Sequence, residues 1–274
     1  MELGIFSRTY ECTDIDETFN RMCSDGLYST HLNFANAGLA TMPEEYNGDA
    51  VDRIATSVSA HGISMSSLTG TFNMIDPNPE QRRRGIEQFR LQCRLAKELK
   101  IPIVTLCTGS KNPESKWKWH NDNLLPESYA DLMNTTESLL EFADEYDVIL
   151  GVEPEVSNII NCPQAAVKYL KDAESSRLKI IMDGANLFTP EKAKHMRDVL
   201  DEAFDLLAGQ IVLAHAKDFS LQNGMSFVAA GEGELDYEHY IGLLKESGYN
   251  GALLMHGLSE EQVSQSKRYL QQLL

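Results

Sequence analysis

Four polar residues stand at the ends of four successive apolar runs in the C-terminal half of the chain. "VILGVEP" closes on Glu153, "KIIMD" ends at Asp183, "IVLAHAK" carries His215 and Lys217, and "ALLMH" stops at His256. Singly, each has an ordinary structural role. Asp183, before Gly184, suits a turn or a helix cap. Glu153 could pair with Lys217, and a lone histidine beside a strand is most often held by a neighbour. Together they are two carboxylates and two imidazoles delivered to one level. Such a donor set suits Mn, Fe, Co, Ni or Zn, whereas Mg prefers oxygen ligands alone. The sequence therefore predicts one divalent-metal site built from Glu153, Asp183, His215 and His256.

Delivering four side chains to one level requires strands that run the same way. Runs of strand length, rich in β-branched and aliphatic residues, lie at 3–8, 28–34, 62–68, 102–107, 148–154, 179–183, 211–217 and 252–256. Amphipathic stretches separate them. "PEQRRRGIEQFRLQCRLAKELK" places Ile86, Phe89, Leu91, Cys93, Leu95, Ala96 and Leu99 largely along one face. Strand–helix units repeated in this way predict an α/β fold, a (β/α)8 TIM barrel, as a single domain over residues 1–274. In such a barrel the C-terminal strand ends converge on one mouth, where catalytic side chains collect. A doubly wound sheet would carry a glycine-rich turn after its first strand, and "LGIFSRTYECTD" has none. "AGEGEL" (230–235) holds only a GxG and reads as a tight turn rather than a phosphate cradle.

With 41 acidic against 24 basic residues, the net charge is -17, which repels polyanions and argues against a nucleic-acid partner. No apolar run approaches the roughly 20 residues of a membrane span. The N-terminus lacks the basic start and apolar core of a signal peptide. A soluble cytoplasmic protein without membrane contact is expected. The five cysteines are scattered with no CxxC pair, as expected of reduced thiols rather than a disulfide framework.

At "GVEPE", "IIMDGANLF", "VLAHAKD" and "GEGELDY", in this order, the sequence resembles the xylose-isomerase-like TIM barrels. That group includes sugar-phosphate isomerases and epimerases, inosose dehydratases and endonuclease IV. The resemblance covers nearly the whole chain. It implies one divalent metal held by a Glu, an Asp, a His and a final Glu from the last four strands. Carried over, these fall on Glu153, Asp183, His215 and the place held by His256. The implied activity is isomerisation or epimerisation of a small sugar, sugar phosphate or polyol-derived carbonyl compound through a metal-stabilised enediolate. Glu153 would abstract the proton beside the carbonyl and His256 would return it. Dehydration of a keto-inositol-like substrate and sugar binding without turnover are the alternatives. Related barrels often pair, so a homo-oligomer is compatible with the chain, although no sequence feature identifies an interface.

Two positions depart from the family pattern. His256 replaces the usual glutamate; it can still ligate and move a proton, but it removes one negative charge from the ligand set. Asn186 stands where the epimerases often carry a substrate-contacting histidine, and it can hydrogen-bond but not titrate. Endonuclease IV requires three zincs and more histidines, and "GMSFVAAGEG" supplies neither His nor Asp. With the acidic charge, DNA repair is excluded. The loop "CTGSKNPESKWKWHNDN" holds both tryptophans and is expected to act as a lid, with Trp119 and His120 contacting substrate. Thr71 and Asn73 of "TGTFNM" are candidate hydroxyl-binding groups, and His31 is expected to be structural. Lys217 is expected to meet a substrate oxyanion or neutralise enolate charge, or else to pair with Asp218.

Overall fold

The β-branched and aliphatic runs form strands and the amphipathic stretches form covering helices throughout residues 1–274, all of which the computed structural model describes. The barrel strands are β1 (Glu2–Phe6), β2 (Ser29–Leu32), β3 (Ser64–Leu68), β4 (Ile103–Leu106), β5 (Ile149–Val152), β6 (Leu178–Asp183), β7 (Ile211–Ala216) and β10 (Ala252–Met255). They pair in parallel and close in the order β1-β10-β7-β6-β5-β4-β3-β2. The expected (β/α)8 barrel is the fold that forms.

Helix starts follow the local chemistry. Asp14 accepts from the Glu17 amide at 3.0 Å to begin the helix Ile15–Ser24, and Asn78 accepts from the Glu80 amide at 3.0 Å to begin the helix Pro79–Glu98. The apolar faces of the helices bury Phe19, Phe89, Leu139, Tyr169, Phe204 and Leu270 against the outside of the sheet. No helix is long and apolar enough to cross a membrane.

Inside the barrel, the two-residue period of a strand sets the site. One interior layer contains Ile103, Ile181, Leu213 and Leu254, which pack together. Two residues further along the chain stand Thr105, Asp183 and His215 on the same strands and His256 just past the end of β10. Gly4 and Gly151 occupy corresponding places on β1 and β5, followed two residues later by Phe6 and Glu153. A Cβ on Gly151 would lie 2.7 Å from Ile181, so glycine is what lets the lower layer close. The apolar layer is thus the floor on which the polar layer rests.

One element was not expected. After β7 the chain makes a hairpin of β8 (Asp218–Ser220) and β9 (Ser226–Val228), paired antiparallel. Left-handed backbone at Asn223 (φ 61°) and Gly224 (φ 97°) turns it. The Asp218 carboxylate accepts from the amides of Phe219 (2.8 Å), Gly231 (3.2 Å), Gly233 (3.1 Å) and Leu235 (2.9 Å). "AGEGEL" therefore wraps a carboxylate of its own chain, and the amides an external phosphate would need are already used. A Cβ on Gly233 would come within 2.4 Å of that carboxylate.

Candidate metal centre

One donor atom from each of Glu153, Asp183, His215 and His256 lies within 4.8 Å of the others. Strand register accounts for the convergence. Asp183 pairs with His215 across β6 and β7, Leu254 of β10 pairs with His215, and the His256 amide donates to the Ala216 carbonyl at 3.2 Å. Glu153 follows directly on β5.

Asp183 is fully buried at the centre. His256 Nε2 lies 2.8 Å from its Oδ2, Lys217 Nζ 3.3 Å and His215 Nδ1 3.8 Å. Burial opposes its charge, but Lys217 and the two imidazoles outweigh burial and hold its carboxyl well below the usual range. For His215, burial disfavours the imidazolium, yet Glu153 and Asp183 prevail and raise it to about 9. His256 moves the other way: burial, aided by Lys217 and His215, lowers it despite the hydrogen bond to Asp183.

The fit to a metal rests on His215. Both its nitrogens are buried, and neither has a hydrogen-bond partner, although Nδ1 is 3.3 Å from Glu153 Oε2. Buried polar atoms without partners are rare and costly. With two carboxylates and a second imidazole beside it, the group could hold one metal ion.

Above the centre lies a cavity of about 500 Å³. Its wall includes Phe6, Arg8, His31, Thr69, Thr71, Thr105, Glu155, Asn186 and Lys217, with the exposed rings of Trp117 and Phe227 at the rim. The amide of Asn186 donates to Glu153 and accepts from Lys217, so it joins the two side chains. Lys217 pairs with Asp183 and Asn186, and its ammonium sits 3.9 Å from the centre of the Phe227 ring. Asp218, occupied by four backbone amides, is not its partner.

The structure does not bring three expected contact residues to this cavity. Asn73 is clamped to the β4 loop, its amide accepting from Ser110 N at 3.1 Å and donating to Ser110 O at 2.8 Å. Trp119 points to Asn121, with Nε1 3.3 Å from Oδ1. His120 caps the turn Asn121–Leu124, accepting from the Asp122 amide at 3.2 Å. The reason is a tie made elsewhere in the loop: Lys116 donates to the Thr71 carbonyl at 2.7 Å, and this anchors Trp117, rather than Trp119, over the mouth. His31 lines the wall with both nitrogens engaged, at 2.7 Å from Ser67 Oγ and 2.6 Å from Thr69 Oγ1. Phe6, Thr105 and Phe227 were not singled out from sequence. The first two follow from the same two-residue period as the donors, and the Asn223–Gly224 turn was the available pointer to Phe227.

Fold and site together define a (β/α)8 barrel with a two-carboxylate, two-imidazole centre at its C-terminal mouth. The sequence profile of the xylose isomerase-like TIM barrel family matches residues 29–273, and the chain belongs to that family. It is similar to the uncharacterized protein MJ1311 of Methanocaldococcus jannaschii, 23% identical over 209 residues that span 73% of this chain and 67% of that one. In structure it is similar to 3-keto-D-glucoside 4-epimerase, YcjR, from E. coli, with a TM-score of 0.77, 16% identity and 99% of each chain covered. It is also similar to the IolI protein with a bound zinc atom, with a TM-score of 0.70, 16% identity, and 99% and 96% of the two chains covered.

Proposed function

We propose that this protein is a metal-dependent isomerase or epimerase of a small carbohydrate-like carbonyl compound, moving a proton at the carbon beside the carbonyl. The observation that carries this reading is the convergence of four donor atoms within 4.8 Å at the floor of an aromatic-rimmed cavity. The likeness to an epimerase and to a zinc-holding barrel supports it. Glu153, Asp183, His215 and His256 would hold the ion, and their mixed nitrogen and oxygen set favours Mn, Fe, Co or Zn over Mg. When bound, a divalent ion supplies Lewis-acid polarisation of a carbonyl and lowers the cost of the charge that develops beside it.

The chain's own residues would do the rest. Glu153 takes the proton, its carboxylate oriented by the Asn186 amide. His256 is partly exposed to the cavity and returns a proton from the other side. Lys217 and Asn186 would meet substrate oxygens as well as hold Asp183 and Glu153. Trp117 and Phe227 cover the apolar face of a sugar and thin the water above it.

The test is solvent exchange. Protein loaded with Co(II) is incubated with a panel of ketoses, ketose phosphates and keto-inositols in D2O. Deuterium is expected at the carbon beside the carbonyl of an isomerised or epimerised product. Glu153→Gln should slow this by about 10²–10⁴-fold while retaining metal. Exchange that proceeds unchanged in Glu153→Gln would remove the base role. A product lighter by one water would identify a dehydratase, and thermal stabilisation by sugar without exchange would identify a binding protein.

A further inference from the structure

Histidines that ligate metals usually donate their second ring nitrogen to a carboxylate or carbonyl, which fixes the ring's direction. Here neither donor histidine has such a bond to a group outside the four candidate ligands. The ring of His256 makes one hydrogen bond within the protein, from the Nε2 edge to Asp183, and that of His215 makes none. Something else must aim them.

Phe6, the last residue of β1, contacts both. Its ring stacks on His256 with centroids 4.6 Å apart and planes 17° apart. It meets His215 edge-on at 5.1 Å and 80°. On its other side it stacks on His31 at 4.2 Å and 26°. His31 is buried and immobilised by Ser67 and Thr69, so it is a fixed backing plate. The two donor imidazoles also touch each other edge-on at 4.8 Å and 66°.

We infer that Phe6, backed by His31, is the positioning residue of the donor set: an aromatic stack does for His215 and His256 what a hydrogen bond to the second ring nitrogen does elsewhere. The arrangement suits a histidine at position 256. A glutamate there could reach a metal through flexible methylenes, whereas an imidazole must be held in one plane to present its nitrogen. A flat ring laid against it supplies that plane without competing for the lone pair. This inference rests on the metal-site reading above and adds the residue that shapes the site.

The test compares wild type with Phe6→Leu, which keeps an apolar side chain but removes the ring face, and with Phe6→Tyr, which restores the ring. Two quantities are read: Co(II) affinity by chelator competition, and the imidazole Cε1–H resonance of His256 by NMR without metal, assigned by its loss in His256→Gln. Ring current from Phe6 should displace that resonance upfield in wild type and in Phe6→Tyr but not in Phe6→Leu. Affinity should fall by about 10–100-fold in Phe6→Leu, the usual cost of losing an outer-shell partner, and recover in Phe6→Tyr. Folded Phe6→Leu that binds Co(II) as tightly as wild type would overturn the inference, as would an undisplaced His256 resonance in wild type. Should Phe6→Leu fail to fold, Phe6→Met, of similar volume and without a ring, is read in the same way. Wild type that binds no Co(II) would instead refute the metal-site reading itself, a result separate from equal binding in the two forms.

Discussion

Asp183 is fully buried and faces His256, Lys217 and His215 at 2.8, 3.3 and 3.8 Å. Its charge is tolerated because these groups answer it, the Lys217 ammonium among them. A bound divalent cation would answer the same carboxylate more strongly. Lys217→Met should therefore be costly in metal-free protein, by about 3–5 kcal/mol, the usual consequence of removing one partner from a buried pair. Saturating Co(II) should recover most of that loss, because the ion then neutralises Asp183. Thermal melts of both forms with and without metal decide this. An equal loss in both states would mean that Lys217 stabilises by packing against Phe227 rather than by charge.

At the scale of elements, the hairpin β8–β9 and the turn after it form one unit held by Asp218, whose carboxylate accepts four backbone amides. Asp218→Ala would leave buried donors unmet at about 1–3 kcal/mol each, partly relieved where water can enter. A loss of several kcal/mol is expected. It should be accompanied by faster amide exchange over residues 219–235 while the barrel strands stay protected. Loss of protection spread evenly over the barrel would show that the hairpin is not a separate cooperative unit. The same region shows where sequence reading stopped. Most barrel strands were legible because they are self-contained apolar runs, and the ends of the last four exposed Glu153, Asp183, His215 and His256 together. A three-residue strand such as Ser226–Val228 is too short to show a period. Only the Asn223–Gly224 pair marked its turn, so Phe227 was missed. The choice of Trp117 over Trp119 depends on the distant tie between Lys116 and Thr71, which no local pattern encodes.

For the whole molecule, the decisive quantity is a net charge of -17 on a chain that opens one deep cavity toward its donor set. A field of that sign raises the local concentration of cations and opposes anions over distances set by salt, about 10 Å at 0.1 M. The final approach of an ion to Asp183 would take place in a buried, poorly screened pocket, so salt is expected to act mainly on arrival rather than on the bound state. The association rate of Co(II), followed by stopped-flow absorbance, should thus fall by about 10-fold or more between low and high ionic strength. The dissociation rate should change little. A neutral ketose carries no charge for the field to act on, so its KM should stay flat over the same range once metal is saturating. A phosphorylated ketose should bind better as salt rises, provided that the global field outweighs Arg8 and Lys217, the cations on the cavity wall. If its KM instead worsens with salt, the local cations govern recognition and the substrate is anionic. That one titration, run on both sugars, separates the field of the molecule from the chemistry of the site.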